Sequence, residues 1–151
     1  MEKAVSLAIH AKENGEIPVG AVIVKDKKIV GVGKNAREQK QNALSHAEIE
    51  AINDACKNLG TWRLDGATIY VTLEPCFMCM GAISEARIET LVFGAFDLQK
   101  GCADSRMSPK TVLKDSKIKI FGGIMEEECE NLLKDFFNSV RNDGKSKTDN
   151  T

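Results

Sequence analysis

A chain of 151 residues with 21 Lys and Arg against 22 Asp and Glu is long enough to bury one core and too short for two ordinary domains. Its hydrophobic fraction of 42% and charged fraction of 28% are those of an ordinary globular protein, and no run approaches the roughly 20 apolar residues that cross a bilayer. The net charge of −1 gives no global pull toward nucleic acid, and the first residues, Met1 to Leu7, lack the apolar block of a signal peptide.

Along the chain, Val5, Ala8, Ile9 and Lys12 recur at helical spacing and predict a short helix over 2–13, stopped by Asn14-Gly15. Apolar, β-branched runs over 20–24 and 28–33, split by Lys25-Asp26-Lys27, predict an antiparallel hairpin. A helix over 46–59 places Ile49, Ile52, Ala55 and Cys56 on one face and closes at Gly60. The run Thr68 to Leu73 reads as a strand, and Pro75 suits the first position of a helix reaching about Ala86. Strands over 90–94 and 118–121 and a helix over 126–140, with Cys129, Leu132, Leu133 and Phe136 inward, complete the pattern. Helices alternating with strands, two of them as crossovers, predict an α/β fold of three layers, α/β/α, with one mixed five-stranded sheet. One domain over 1–141 with a disordered tail over 142–151 is the expected organisation.

Chemistry concentrates in two short segments, His46-Ala47-Glu48 and Pro75-Cys76-Phe77-Met78-Cys79. A helix starting at Ser45 puts His46 and Glu48 in its first turn, although Ser45 with Glu48 also spells a capping box, so for Glu48 alone capping and catalysis stay equally open. Cys76 and Cys79 open the next helix, with both sulfurs on one face at the positive end of its dipole. Alone, such a pair is a redox couple or half of a structural zinc knuckle. With the histidine it offers one nitrogen and two sulfurs, and three protein ligands leave zinc an open position where the pKa of water falls to about 7. Glu48 would then carry protons from the water to a ring nitrogen and on to the departing amine. Cys56, Cys102 and Cys129 read as small buried hydrophobes, and five cysteines without dense, even spacing point to a reducing, cytoplasmic compartment. The basic stretch Lys100, Arg106, Lys110, Lys114, Lys117 and Lys119, opposed there by Asp104 and Asp115, reads from charge alone as a solvated face.

These segments, together with Gly15 to Val22, Asn35, Gly60-Thr61-Trp62-Arg63-Leu64, Tyr70 to Cys79 and Val92 to Ala95, resemble the cytidine deaminase-like superfamily and, within it, the bacterial tRNA-specific adenosine deaminases. The resemblance spans about Glu2 to Arg141. It implies one zinc ion per subunit held by His46, Cys76 and Cys79, Glu48 as acid and base, and a base-binding pocket with Asn35, Val19 and Ala47. It further implies hydrolytic deamination of adenosine to inosine at the wobble position of a tRNA anticodon loop, by a homodimer. The amide of Asn35 can pair with a purine edge, although Asn in a turn is the plainer reading of that residue alone. The chain departs from the family pattern at Ser105 to Pro109, at Lys117-Ile118 and at Met80. Two other readings stay in view. One is a deaminase of a free base or nucleoside such as guanine, cytosine or cytidine; the other is a non-catalytic zinc-binding partner subunit, for which the Glu48 carboxylate would be superfluous.

Overall fold

A computed structural model describes residues 1–113 and 116–148, so Lys114 and Asp115 of the basic stretch and residues 149–151 lie outside the described residues. The elements run α1 (Glu2–Glu13), β1 (Gly20–Lys25), β2 (Lys28–Lys34), α2 (Arg37–Lys40), α3 (Ala47–Leu59), β3 (Thr68–Leu73), α4 (Phe77–Glu85), β4 (Thr90–Ala95), α5 (Pro109–Val112), β5 (Lys119–Phe121) and α6 (Glu126–Thr148). The five strands form one sheet in the order β2-β1-β3-β4-β5. β1 pairs antiparallel with β2 and β3, while β3–β4 and β4–β5 are parallel. The mixed sheet follows from connection length. The turn at Asp26 and Lys27, both with positive φ, closes the hairpin, whereas the β3–β4 connection carries α4 as a crossover.

Helices α3 and α4 touch each other on one face of the sheet, and α1 and α6 on the other. The faces are built on small residues. α3 buries Ala47, Ala51 and Ala55, and α1 buries Ala4, Ala8 and Ala11, so each presents a flat stripe, at i, i+4 spacing in α3 and at i, i+4 then i, i+3 in α1. The strands answer with glycine. A Cβ on Gly31 would lie 2.5 Å from the Ala51 carbonyl oxygen, one on Gly33 would meet Ala47 and Ala51, and one on Gly20 would strike α1. Large apolar side chains sit elsewhere, with Ile23, Ile69, Leu91 and Phe93 of the sheet packed with Met80 and Ile83 of α4.

Several local expectations shift. α3 begins one residue later, with His46 in the N-cap position, and Pro75 precedes the Cys76 N-cap of α4 instead of opening the helix. The inward face of α1 is its alanine stripe, with Ile9 exposed, and Ile49, Ile52 and Cys56 are half-buried beside the alanines of α3. Size gave way to fit, because the glycine-bearing strands draw the helices too close for branched side chains. At the other end α6 runs past its expected end at Val140 to Thr148, and only Cys129 of its four inward candidates is fully buried.

Candidate active site

The sheet collects its loops at one edge. β2 ends into Asn35, β3 into Glu74-Pro75-Cys76 and β4 into Phe96, while β1, running the other way, is entered there through Ile17 and Val19. Open α/β sheets bind ligands beyond the carboxyl ends of their strands, and here a cavity of about 740 Å³ occupies that position. Val19, Asn35, His46, Ala47, Glu48 and Cys76 all line it, so six of the seven residues singled out above share one pocket, and Cys79 lies beneath it.

Two helix starts supply the donors. His46 is held by its N–H to Leu44 O at 2.7 Å, and its carbonyl accepts the first helical bond from Glu50. Cys76 does the same for α4, whose Met80 N–H bonds its carbonyl at 2.9 Å. Nδ1 of His46 lies 3.7 Å from Cys76 Sγ and 3.6 Å from Cys79 Sγ, and the three donor atoms fall within 4.8 Å of one another. A tetrahedral zinc with Zn–S of about 2.3 Å and Zn–N of about 2.0–2.1 Å sets N and S about 3.5 Å apart, so the donor set fits that ion without rearrangement.

The electrostatics of the donors are linked. A hydrogen bond from the Cys79 thiol holds Cys76 down to about 4, while that shared proton and burial push Cys79 far above the ordinary thiol range. His46 is raised by its hydrogen bond with Cys76. Glu48 is 4% exposed. Burial pushes its carboxyl up to about 7, against the opposing pull of its own backbone N–H. No side-chain cap bond closes the start of α3, so Glu48 is not spent on a capping box with Ser45.

Asn35 makes the contacts of a turn residue and also lines the pocket. Nδ2 donates to Ile17 O at 3.2 Å and Oδ1 accepts from Arg37 N–H at 3.3 Å, a turn-forming pattern. An amide has two donors and two lone pairs, which leaves one N–H and one lone pair for a ligand in the pocket. Glu16, fully buried, accepts from the N–H groups of Glu38 and Gln39 and so pins α2 and Arg37 beside the opening.

Residues 1–141 match the family model for MafB19-like deaminases. The tRNA-specific adenosine deaminase of Bacillus subtilis (strain 168) is 45% identical over 145 residues, covering 93% of this chain and 88% of the relative. The chain belongs to the tRNA-specific adenosine deaminases. That of Streptococcus pyogenes serotype M18 is 41% identical over 93% of this chain and 89% of its own. A solved structure from studies of A-to-I editing by tRNA:A34 deaminases superimposes with a TM-score of 0.84 at 39% identity, covering 88% of this chain and 97% of the other. The guanine deaminase of Bacillus subtilis is 32% identical with a TM-score of 0.63, covering 93% and 90%. The protein is thus a zinc-dependent hydrolase of the deaminase fold, and among the described residues no helix is long and apolar enough to cross a membrane.

The pocket includes residues that the motifs did not flag. Phe96 to Lys100 form one wall, and Leu133, Phe137, Val140 and Arg141 of α6 form another. Local spacing could not have placed them, because both walls reach the site through tertiary packing. An exposed aromatic and an arginine one helical turn apart, Phe137 and Arg141, were the available signal on α6.

Proposed function

We propose that this protein converts adenosine to inosine at the wobble position of a tRNA anticodon, with His46, Cys76 and Cys79 holding zinc and Glu48 carrying the protons. The observation that carries the reading is the three-donor cluster with a fully buried carboxylate beside it at the floor of one pocket. Zinc bound there supplies a Lewis acid that makes water a nucleophile near neutral pH. Glu48, near 7, can both accept and return a proton at that pH. It takes one from the attacking water, protonates the adenine ring nitrogen next to the carbon under attack, and completes the proton transfer to the amine that leaves as ammonia. Asn35 offers its free N–H and lone pair to the purine edge between Val19 and Ala47.

A base must leave its stack to enter, which favours a single-stranded loop. Arg37, Lys100 and Arg141 around the opening suit phosphates, and Phe137 is an exposed ring for a neighbouring base. A second copy of the chain fits α4, where Phe77 is 60% exposed and Met78 half-buried while Met80 and Ile83 are interior. Free cysteines throughout accord with a cytoplasmic setting.

A second reading, a free-base deaminase, is favoured by the likeness to the Bacillus subtilis guanine deaminase. Salt separates the two. Affinity for an anticodon stem-loop, measured by fluorescence anisotropy, falls steeply as salt rises because counterions return to the phosphates. No binding of the RNA at low salt, together with salt-independent turnover of a free base, would replace the first reading with the second.

A further inference from the structure

Glu74 is a buried carboxylate lining the pocket that the chemistry above does not use. It stands between the last residue of β3 and Pro75, is 2% exposed, and lines the cavity. Its two oxygens accept five hydrogen bonds from one loop. Oε1 takes the N–H groups of Ala103, Asp104 and Ser105 at 3.1, 2.7 and 2.8 Å; Oε2 takes that of Asp97 at 3.0 Å and the Ser105 hydroxyl. Gly101 lies against the carboxylate so closely that a Cβ there would collide with it. The loop is also fastened to the metal-ligand segment, since Gly101 bridges Cys76 and Cys102 N–H bonds Pro75 O at 2.9 Å.

This loop is a pocket wall. Phe96, Asp97, Leu98, Gln99 and Lys100 face the cavity, and Leu98, 79% exposed, has little packing of its own to hold it. The N–H groups at Asp97 and at Ala103 to Ser105 bracket Leu98, Gln99 and Lys100, so one side chain clamps this stretch of the wall from both sides.

We propose that Glu74 is a positioning residue for substrate: by gathering the N–H groups of the Asp97 to Ser105 loop it fixes the pocket wall against which the substrate binds. A neutral amide in its place would turn an NH2 group toward N–H donors and free at least one end of the wall, while the donors of the metal, on α3 and α4, stay where they are. The proposal rests on the deaminase reading only for the choice of substrate.

The test uses the zinc-loaded full chain with Glu74→Gln and, as a milder variant that removes one donor, Ser105→Ala. The expected result for Glu74→Gln is a rise in KM for an adenosine-bearing stem-loop of about tenfold or more with kcat within about threefold. Zinc content stays at the wild-type level, and amide exchange at Asp97, Ala103, Asp104 and Ser105 speeds up. Ser105→Ala moves KM the same way by about two- to threefold. An unchanged KM in both variants, a fall in kcat alone, or loss of zinc would overturn the assignment, the last by making Glu74 a support of the metal site. Wild-type turnover of a free base in place of the RNA would defeat the substrate reading, and the same KM and kcat comparison on that base would still decide the role of Glu74.

Discussion

The two sides of the pocket are built by opposite means. The floor, His46 to Glu48 and Cys76 to Cys79, rides on two helix starts, that of α3 pressed against the sheet by alanines and glycines and that of α4 packed through Met80 and Ile83, with Ala47 and Cys79 fully buried. The outer walls, Phe96 to Lys100 and the middle of α6, expose Leu98, Phe137 and Val140 and are held by hydrogen bonds to a buried carboxylate or by one buried anchor, Cys129. Reacting groups need placement within a fraction of an ångström, and close packing gives it. A surface that meets a large, flexible ligand needs reach and apolar exposure, and loops on a rigid frame give that. The contrast fits the proposed division, with chemistry at the floor and recognition at the walls.

The largest expected effect lies in the floor. Glu48→Ala should lower the rate by about 10²–10⁴ while zinc content and fold persist, as read by single-turnover kinetics and metal analysis. Turnover near the wild-type level would take Glu48 out of the mechanism. Next is the packing that sets the floor. Gly33→Ala forces a Cβ against Ala47 and Ala51, and should cost about 1–3 kcal/mol in denaturant unfolding and lower kcat by displacing the start of α3. A variant as stable as wild type would show that α3 can give way.

Proton competition at the donors comes third. Cys79 keeps its proton well above the ordinary thiol range, and binding a cation must expel it, along with that of His46 once pH falls below its raised pKa. Cys76, near 4, releases none at neutral pH. Zinc affinity should therefore fall as pH falls, by about tenfold per unit for each proton expelled, with proton release visible by calorimetry in buffers of different ionisation enthalpy. A pH-independent affinity would contradict the shared-proton arrangement. The smallest effect belongs to the wall. Leu98→Ala should change stability by less than about 0.5 kcal/mol, because the side chain is 79% exposed, and yet raise KM for the RNA.

The floor was legible in the sequence for a physical reason. Cys76 and Cys79, three apart, share one helix face, and His46 and Glu48 fall together at a helix start, so both pairs could be set out before any tertiary fold was known. The strands were equally plain, since the apolar, β-branched runs at 68–73 and 90–94 admit little else. Helix faces were harder. Hydrophobic patterning weights large side chains, and in α1 and α3 the buried stripe is alanine, which only the glycines of β1 and β2 explain. The cap of α3 is misread by one residue because Ser45 is the better capping side chain while His46 holds the position. The walls were not legible, for Glu74 finds its partners some 23 to 31 residues away.

The measurement that bears most directly on the central claim is deamination by the purified, zinc-loaded protein of an anticodon stem-loop with adenosine at the wobble position, run beside free adenosine, guanine, cytosine and cytidine. Inosine formed in the RNA, with little or no turnover of the free compounds, is the result expected from a chemical floor served by RNA-binding walls. Turnover of a free base with the RNA untouched would keep the floor and contradict the role given to the walls.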